Sequence, residues 1–526
     1  MRTCQLGYGC CVGLLVLVGC TPSNVSGVGG AAADNGVTET SAGAGAGTDT
    51  AVAVAADAAA ETGTGSPAVS PVTAPAPAKT AGAPTLETGV ATVPAAVPAI
   101  TARYEGTGFV VHEWGTNTQV IGSDGSLQRG LHHEGDDLPS FVYDRLKQGE
   151  TLRFPSVDKM ETPVDYFYSD KARTVSVRLD MPLGVPTQWY PAVREFGPPV
   201  LQPSSGVLLV DPVTDTHMAL SSQQCIDKYT SFSSGSLNWG EVKILAPGEA
   251  SQKAAPDAPL DQFTWSYARQ VAANMVQVDT STDDASGSTI TASQAERFLF
   301  YRGLGNYEAP LRVTAASAEP AGHERLTLHK ATTWHSTAPA FVMRVTGESG
   351  AFVRVDQPDS AAIDADVPDE SALQPIDAFL TQLTSEMTRA LQSTGLYDDE
   401  AAAMVNTWRT QWFATPGVRV LYIAPSSWLD DNVRLTITPA PDQVTRVMVM
   451  RVEVITPALE ARDVAAVRTL ENAPNAEGRA YFQALGRFAE PRLRRALTLT
   501  GGAAGPQTQA FLSELESPAF SSALGE

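Results

Sequence analysis

From Thr21 to Arg103 the chain contains no aromatic residue, and this decides where a fold can begin. The stretch is made largely of Ala, Gly, Thr, Pro, Val and Ser and turns proline-rich after Ser66. Such a composition cannot bury enough apolar surface to offset the entropy of ordering its backbone. As a partly polyproline coil of about 80 residues it would reach on the order of 50 Å root-mean-square. Residues 20–103 therefore read as a disordered tether, and the folded body has to start near Tyr104, where aromatic residues return.

What precedes the tether reads as a signal. Arg2 supplies a positive start, and the apolar run from Cys11 to Val18 falls far below the roughly 18 to 20 residues needed to span a bilayer. Leu17-Val18-Gly19-Cys20 closes it and resembles the lipobox of bacterial lipoproteins. The resemblance implies that residues 1–19 are removed and that Cys20 is diacylated at the new N-terminus. Acyl chains contribute about 0.8 kcal/mol per buried CH₂, enough for stable anchoring without a transmembrane helix. Thr21 is not the aspartate typical of inner-membrane retention in that group, which implies an outer-membrane address with the body extracytoplasmic. Of the five cysteines, Cys4, Cys10 and Cys11 leave with the signal and Cys20 carries lipid. Only Cys225 remains, so no internal disulfide is expected and the thiol reads as a small buried hydrophobe. The net charge of -22 excludes nucleic acid as a partner and argues against an electrostatic hold on anionic lipid.

Beyond the tether, short runs rich in Val, Thr and aromatics are punctuated by Gly and Pro. Phe109 to Ile121 reads as a strand ending in a hairpin turn at Ser123-Asp124-Gly125. Period-two alternation puts Val110, His112, Trp114 and Thr116 on one face and Phe109, Val111, Glu113 and Gly115 on the other. Further strands are expected at Val164 to Tyr168, Val175 to Leu179, Gly206 to Val210, Val242 to Leu245, Phe298 to Gly303, Leu311 to Val313 and Phe341 to Val345. Short helices are expected at Asp144 to Lys147 and Tyr267 to Met275, with a polar loop at Asp279 to Ser288. Residues 104–356 thus form a β-rich domain, and the acidic segment 357–370 reads as a linker or loop. In 371–500 the pattern becomes α+β. Ile376, Phe379, Leu380, Leu383, Met387 and Leu391 recur at helical spacing, as do Met404, Val405, Trp408 and Trp412. Strands return at Val418 to Ile423, Val433 to Ile437 and Val444 to Ile455. Thr456-Pro457 then opens a helix to Leu470, Ala476 to Leu497 holds another broken at Pro491, and residues 501–526 read as a tail. The fold class is mainly β with an α+β C-terminal region, its antiparallel sheets sandwich- or barrel-like and packed with a few helices.

Chemistry-bearing residues concentrate in Phe109 to Pro139. His112, His132, His133 and Glu134 are candidate ligands for zinc or another divalent metal, with Glu134 or Asp136 as the catalytic base. No HExxH spacing is present, and His112 and Glu113 diverge on a strand; the competing reading is a packed His112 and a solvated HHEGDD loop. Tyr166, Tyr168, Trp189 and Tyr190 are candidates for an aromatic platform taking a glycan or peptide, with core packing as the alternative. Asp356, Asp359, Asp364, Asp366 and Asp369 lack the EF-hand pattern and read as solvated. Lys159, Glu161, Arg297 and Arg302 flank apolar strands and are expected to pair structurally, with an anion site as the alternative. No GxSxG, SxxK, Walker A or GxGxxG motif is present.

VHEWGT at Val111 to Thr116, METPVDYFYSD at Met160 to Asp170, QWYP at Gln188 to Pro191 and FLFYRGLGNYE at Phe298 to Glu308 together resemble a group of uncharacterised secreted or lipid-anchored proteins of myxobacterial and planctomycete type. The resemblance implies the address and one extended architecture, and it carries no catalytic residue. The expected function is a membrane-anchored, surface-exposed binding or structural lipoprotein acting on envelope or extracellular material; the one cofactor the residues suggest is a divalent metal such as zinc. The alternative is a metal-dependent extracytoplasmic hydrolase.

Overall fold

In a computed structural model the described residues are 106–131, 138–144, 157–197, 235–249, 263–283, 289–331, 338–356, 360–472 and 476–516. The first strands are β1 (Phe109–Ile121), β2 (Tyr143–Asp144), β3 (Asp158–Ser169), β4 (Arg173–Met181), β5 (Gly184–Tyr190), β6 (Glu195–Gly197) and β7 (Gly235–Ile244). They are followed by β8 (Val276–Asp283), β9 (Thr289–Glu296), β10 (Phe298–Gly305), β11 (Leu311–Ala318), β12 (His323–Lys330), β13 (Ala340–Val345) and β14 (Ser349–Val355). The last are β15 (Ala362–Asp366), β16 (Gln374–Pro375), β17 (Gly417–Ile423), β18 (Arg434–Thr438) and β19 (Gln443–Val454). The helices are α1 (Phe263–Ala268), α2 (Ile376–Ser393), α3 (Asp398–Arg409), α4 (Ser426–Asn432), α5 (Pro457–Glu471), α6 (Ala476–Gln483), α7 (Ala489–Leu499) and α8 (Pro506–Leu515).

The protein is mainly β, in large antiparallel and mixed sheets that do not close into a barrel, with its helices mostly C-terminal. A ten-stranded sheet runs β16-β14-β13-β17-β19-β1-β3-β10-β5-β2, and β1 sits near its middle. Only its β1–β19 pairing is parallel. Every residue of β1 is buried, as a strand covered on both faces must be. A second sheet, β18-β4-β7-β8-β9 with β6 on β7, and a third, β11-β12-β15, complete the β structure of the described residues. The central and second sheets both combine strands from either side of residues 357–370.

The alternation expected for β1 is what the two cores require. Phe109, Val111 and Ile121 enter a core shared with Val175, Val177, Trp239 and Leu326 of the smaller sheets. Val110 and Trp114 enter the opposite core, with Trp265, Phe379, Met404 and Trp408 of α1, α2 and α3. Thr456 caps α5 by accepting from the Leu459 amide, with Pro457 in the first turn.

Several local expectations change. The turn at Ser123–Gly125 exists, with Asp124 accepting from the Ser126 amide at 2.9 Å, but it leads only to a single bridge between Ile121 and Leu127. The main partners of β1 come from β3 and β19, because a fully buried strand needs long partners on both edges. The polar segment from Asp279 contributes to a β8–β9 pair. The helix expected at Tyr267 to Met275 lies at Phe263–Ala268, since Met275 leads into β8. Asp144 belongs to β2. Within the acidic segment, Ala362–Asp366 is a strand pairing with β12, and Asp364 and Asp366 accept from Thr327 and Arg325, both at 2.7 Å. The break in the C-terminal helical pattern falls at a 3-10 turn, Gly486–Phe488, and Pro491 sits in the first turn of α7, where its missing N–H costs nothing. The expected tail contains α8, whose Phe511, Leu512 and Leu515 join a small core with Leu470, Phe482 and Leu493. The strand expected at Gly206 to Val210 lies outside the described residues, as do Cys20 and Cys225.

Candidate functional site

The four motifs singled out in the sequence become four neighbouring strands. VHEWGT lies in β1, METPVDYFYS in β3, FLFYRGLG in β10 and QWY in β5, and these strands are adjacent in that order. Register slips at nearly the same level in all three pairings: between Trp114 and Thr116 against β3, between Phe300 and Gly303 against β3, and between Arg302 and Gly303 against β5. Bulges re-aim side chains and bend strands. Here the bend brings backbones together, because a Cβ on Gly115 would stand 2.9 Å from the Pro163 Cα. It also holds Thr162 at φ 53, a left-handed conformation costing a β-branched residue on the order of 1–2 kcal/mol.

His112 and Glu113 open onto opposite faces of this sheet. On the helical face, His112 Nδ1 and the Glu400 carboxylate of α3 are 2.7 Å apart, both fully buried. Glu400 also accepts from the Tyr168 hydroxyl at 2.8 Å and from the Tyr397 amide at 2.7 Å. One carboxylate thus ties the start of α3 to β1 and β3. Burial and the facing Glu400 charge push the Tyr168 phenol well above its ordinary value, so it stays a donor. His112 packs against the rings of Tyr397 and Tyr168 at 4.5 and 5.3 Å, and its Nε2 is buried without a hydrogen-bond partner.

On the other face, Glu113 accepts from the Tyr301 hydroxyl of β10 and from Arg446 Nε of β19, each at 2.6 Å. Arg446 also donates to Asp430 at 3.0 Å and to the Val433 carbonyl at 2.6 Å. Burial would lower the Arg446 pKa, but the Glu113 carboxylate more than offsets it and the net shift is upward. Directly across the ladder from Glu113 stands Asp165, fully buried, with both oxygens lacking a hydrogen-bond partner. Burial and then the Glu113 charge push its carboxyl far above the usual range, so Asp165 holds a proton. Further along the same face, Asp158 accepts from Gln119 and from the Tyr307 amide, and burial raises its pKa to about 7.

The platform candidates are interior. Tyr166, Tyr168, Trp189 and Tyr190 are all at most 4 % exposed. Tyr190 packs on Phe141 and Trp265, Trp189 on Tyr143 and Phe196, and the Tyr166 hydroxyl donates to the Ala268 carbonyl at 2.8 Å. They present no open aromatic surface, because strands covered on both faces bury the side chains of both. His132, His133, Glu134 and Asp136 lie outside the described residues. Among the described residues no group of three or more His, Cys, Asp and Glu side chains is placed to hold a metal ion.

Of the flanking charges, Glu161 forms an ion pair, with Arg487. Glu161 takes Arg487 and the Thr118 hydroxyl, the latter at 2.6 Å. Although burial works against it, Arg487 and Lys159 hold the Glu161 carboxyl down at about 2. Arg297 donates to the Ala273 carbonyl at 3.0 Å and Arg302 to Thr162 at 3.4 Å. Sequence reasoning did not find Glu400, Asp165, Tyr301 or Arg446. The available signal was a charged residue inside an apolar strand, as in PVDYF and VTRVMV, where burial demands a partner. No family model and no curated protein matches this chain.

Proposed function

We propose that this chain is a lipid-anchored protein of the bacterial cell envelope whose folded body works as a binding or structural module on envelope or extracellular material. The observation that carries this reading is the succession of LVGC, an aromatic-free tether and a folded body, which sets a body at a distance from a membrane surface. A second observation supports it: polar groups of HEW, DYFY and FYRG are engaged inside the sheet, His112 and Tyr168 with Glu400, Glu113 with Arg446 and Arg302 with Thr162. The motifs thereby serve construction, and recognition of a glycan or peptide falls to other surfaces than Trp189 and Tyr190. Among the described residues no helix is long and apolar enough to cross a membrane. Cys20→Ala in the native host should move the protein from the outer-membrane fraction to the soluble envelope fraction. Continued sedimentation of that variant with membranes would overturn the anchor.

One observation favours the metal-hydrolase alternative, namely the partnerless Nε2 of His112, whose Nδ1 is held by a carboxylate in the way metal-ligating histidines are oriented. Under that reading zinc would be held by His112 with His132 or His133 and Glu134, and Glu134 or Asp136 would take the proton of bound water. Near-stoichiometric metal in the purified protein, lost in His112→Ala, would establish it. A metal content unchanged by that substitution would remove His112 from any such site.

A further inference from the structure

The end of the central sheet meets the C-terminal helices at a crevice with a volume of about 80 Å³. Its walls are apolar side chains from β1, β17, the end of β19 and the connection between α6 and α7, namely Val120, Val418, Val454, Ile455, Leu485 and Phe488. The first four are buried, whereas Leu485 and Phe488 are half-buried and the neighbouring Ala484 is exposed, so the crevice opens to solvent along the turn after α6. Two charged residues reach it, Glu453 and Arg492. Arg492 is committed elsewhere, to Asp463 through two bonds of 2.6 Å and to the Tyr481 hydroxyl at 3.0 Å.

Glu453 is committed through one oxygen only. Arg419 Nε and Arg451 Nε both donate to Oε1, at 2.8 and 2.7 Å, so two guanidinium groups share one carboxylate. Oε2 takes no donor among the described residues and retains accessible surface, in a side chain 11 % exposed. Gly417, at φ 145, keeps the approach to it clear, because a Cβ there would stand 3.2 Å from Oε2. Burial works to raise the Glu453 pKa, but the two arginines outweigh it and hold the carboxyl below its ordinary value, so it stays charged at neutral pH. A charged oxygen in a mainly apolar crevice calls for a donor.

The lining also decides which donor. An anion would face Glu453, and a cation would be the third beside a carboxylate that Arg419 and Arg451 already share. What fits is a neutral donor on an apolar body. An apolar cavity of about 150 Å³ holds benzene, so by proportion this one takes about three non-hydrogen atoms, with the rest of a ligand outside. Sugar hydroxyls sit on polar rings, and a peptide N–H lies between two Cα atoms and cannot enter so narrow a space end-on. An acetamido group hangs from its ring by one N–H and ends in a methyl. We propose that this crevice is a subsite for an acetamido group, as carried by N-acetylated amino sugars. The N–H donates to Glu453 Oε2, the methyl packs among Val418, Leu485 and Phe488, and the carbonyl oxygen stays at the open side in water. The subsite rests on the reading of the body as a module binding envelope or extracellular material, and names the group it takes.

The test is saturation-transfer NMR on the purified full chain with N-acetylglucosamine, read at the acetamido methyl. So small a group should bind with a Kd on the order of millimolar. Glucose and glucosamine, which lack the acetyl group, should bind about tenfold more weakly or not at all. Ala484→Leu, which fills the open side, should weaken N-acetylglucosamine about tenfold or more. Glu453→Gln should do the same, because the arginines keep the amide oxygen and turn its NH₂ towards the N–H of the ligand. If Glu453→Gln does not fold, Ala484→Leu decides. Arg354→Met, at an exposed ion pair, should bind as the unaltered chain does. No saturation of the methyl, equal binding of glucosamine, or binding unchanged in Ala484→Leu would each overturn the subsite. Equal binding of N-acetylglycine amide would overturn its assignment to a sugar. Fractionation of Cys20→Ala tests the envelope address separately, so failure here removes the subsite alone.

Discussion

His112 and Glu113 are neighbours in sequence, yet they sit in two buried polar networks that solve the same problem differently. Behind His112, one carboxylate, Glu400, receives three donors from three elements. Around Glu113, two carboxyls face one guanidinium, and Glu113 takes both strong donors while Asp165 takes none. The first network is balanced and reads as a clasp between α3 and the sheet. The second stays neutral only by storing a proton on Asp165. A fold can thus bury carboxylates by supplying donors or by withholding ionisation, and the second route makes stability depend on pH.

The largest expected effect tests the unbalanced side. Arg446→Met leaves the Glu113 charge buried without its cation and should cost about 3–5 kcal/mol in urea unfolding. A loss below about 1 kcal/mol would mean that Glu113 does not depend on this cation, and the contrast would collapse.

The next test is pH. Asp158 and Asp165 bind protons more tightly in the folded chain than in the unfolded one, so their stabilisation is fully present below the unfolded value of 3.8. It is lost as pH rises through the folded values, about 7 for Asp158 and higher than the usual range for Asp165. For Asp158 alone this amounts to roughly 4 kcal/mol across that window. Glu161, held at about 2, works in the opposite sense and contributes above its unfolded value of 4.5, fading as pH falls towards 2. Tm should therefore peak near pH 4, between the unfolded values of these groups, and fall as pH rises towards about 7. Asp165→Asn, which keeps the shape and cannot ionise, should flatten that fall; an unchanged slope would place the stored proton elsewhere.

The smallest effect belongs to the balanced side. Glu400→Gln keeps an acceptor and turns one of the contacts donor to donor, for an expected loss of about 1–2 kcal/mol. A loss as large as that of Arg446→Met would show that the two networks do not differ in kind.

Local pattern was readable wherever a few residues decide the outcome. The alternation in Phe109–Ile121 named both faces of β1, helical spacing located α2, and Thr456-Pro457 located the start of α5. Partners were not readable. Glu113 and Arg446 lie 333 residues apart, and nothing in HEW or TRV specifies that β1 pairs in parallel with β19. The aromatic cluster of QWYP and DYFY looked like a surface because aromatic composition is alike in platforms and cores; only coverage by α1 and the smaller sheets buried it.

By itself, then, the sequence determined the β-rich class and the period of each long element, because those depend on composition and on backbone repeats of two or 3.6 residues. Tertiary structure decided which strands are neighbours, which motifs share a bulge, which carboxyl keeps its proton and which arginine is left short of a counter-ion. These are properties of burial and of donors brought from distant segments, and they exist only once long-range pairing has removed the groups from water.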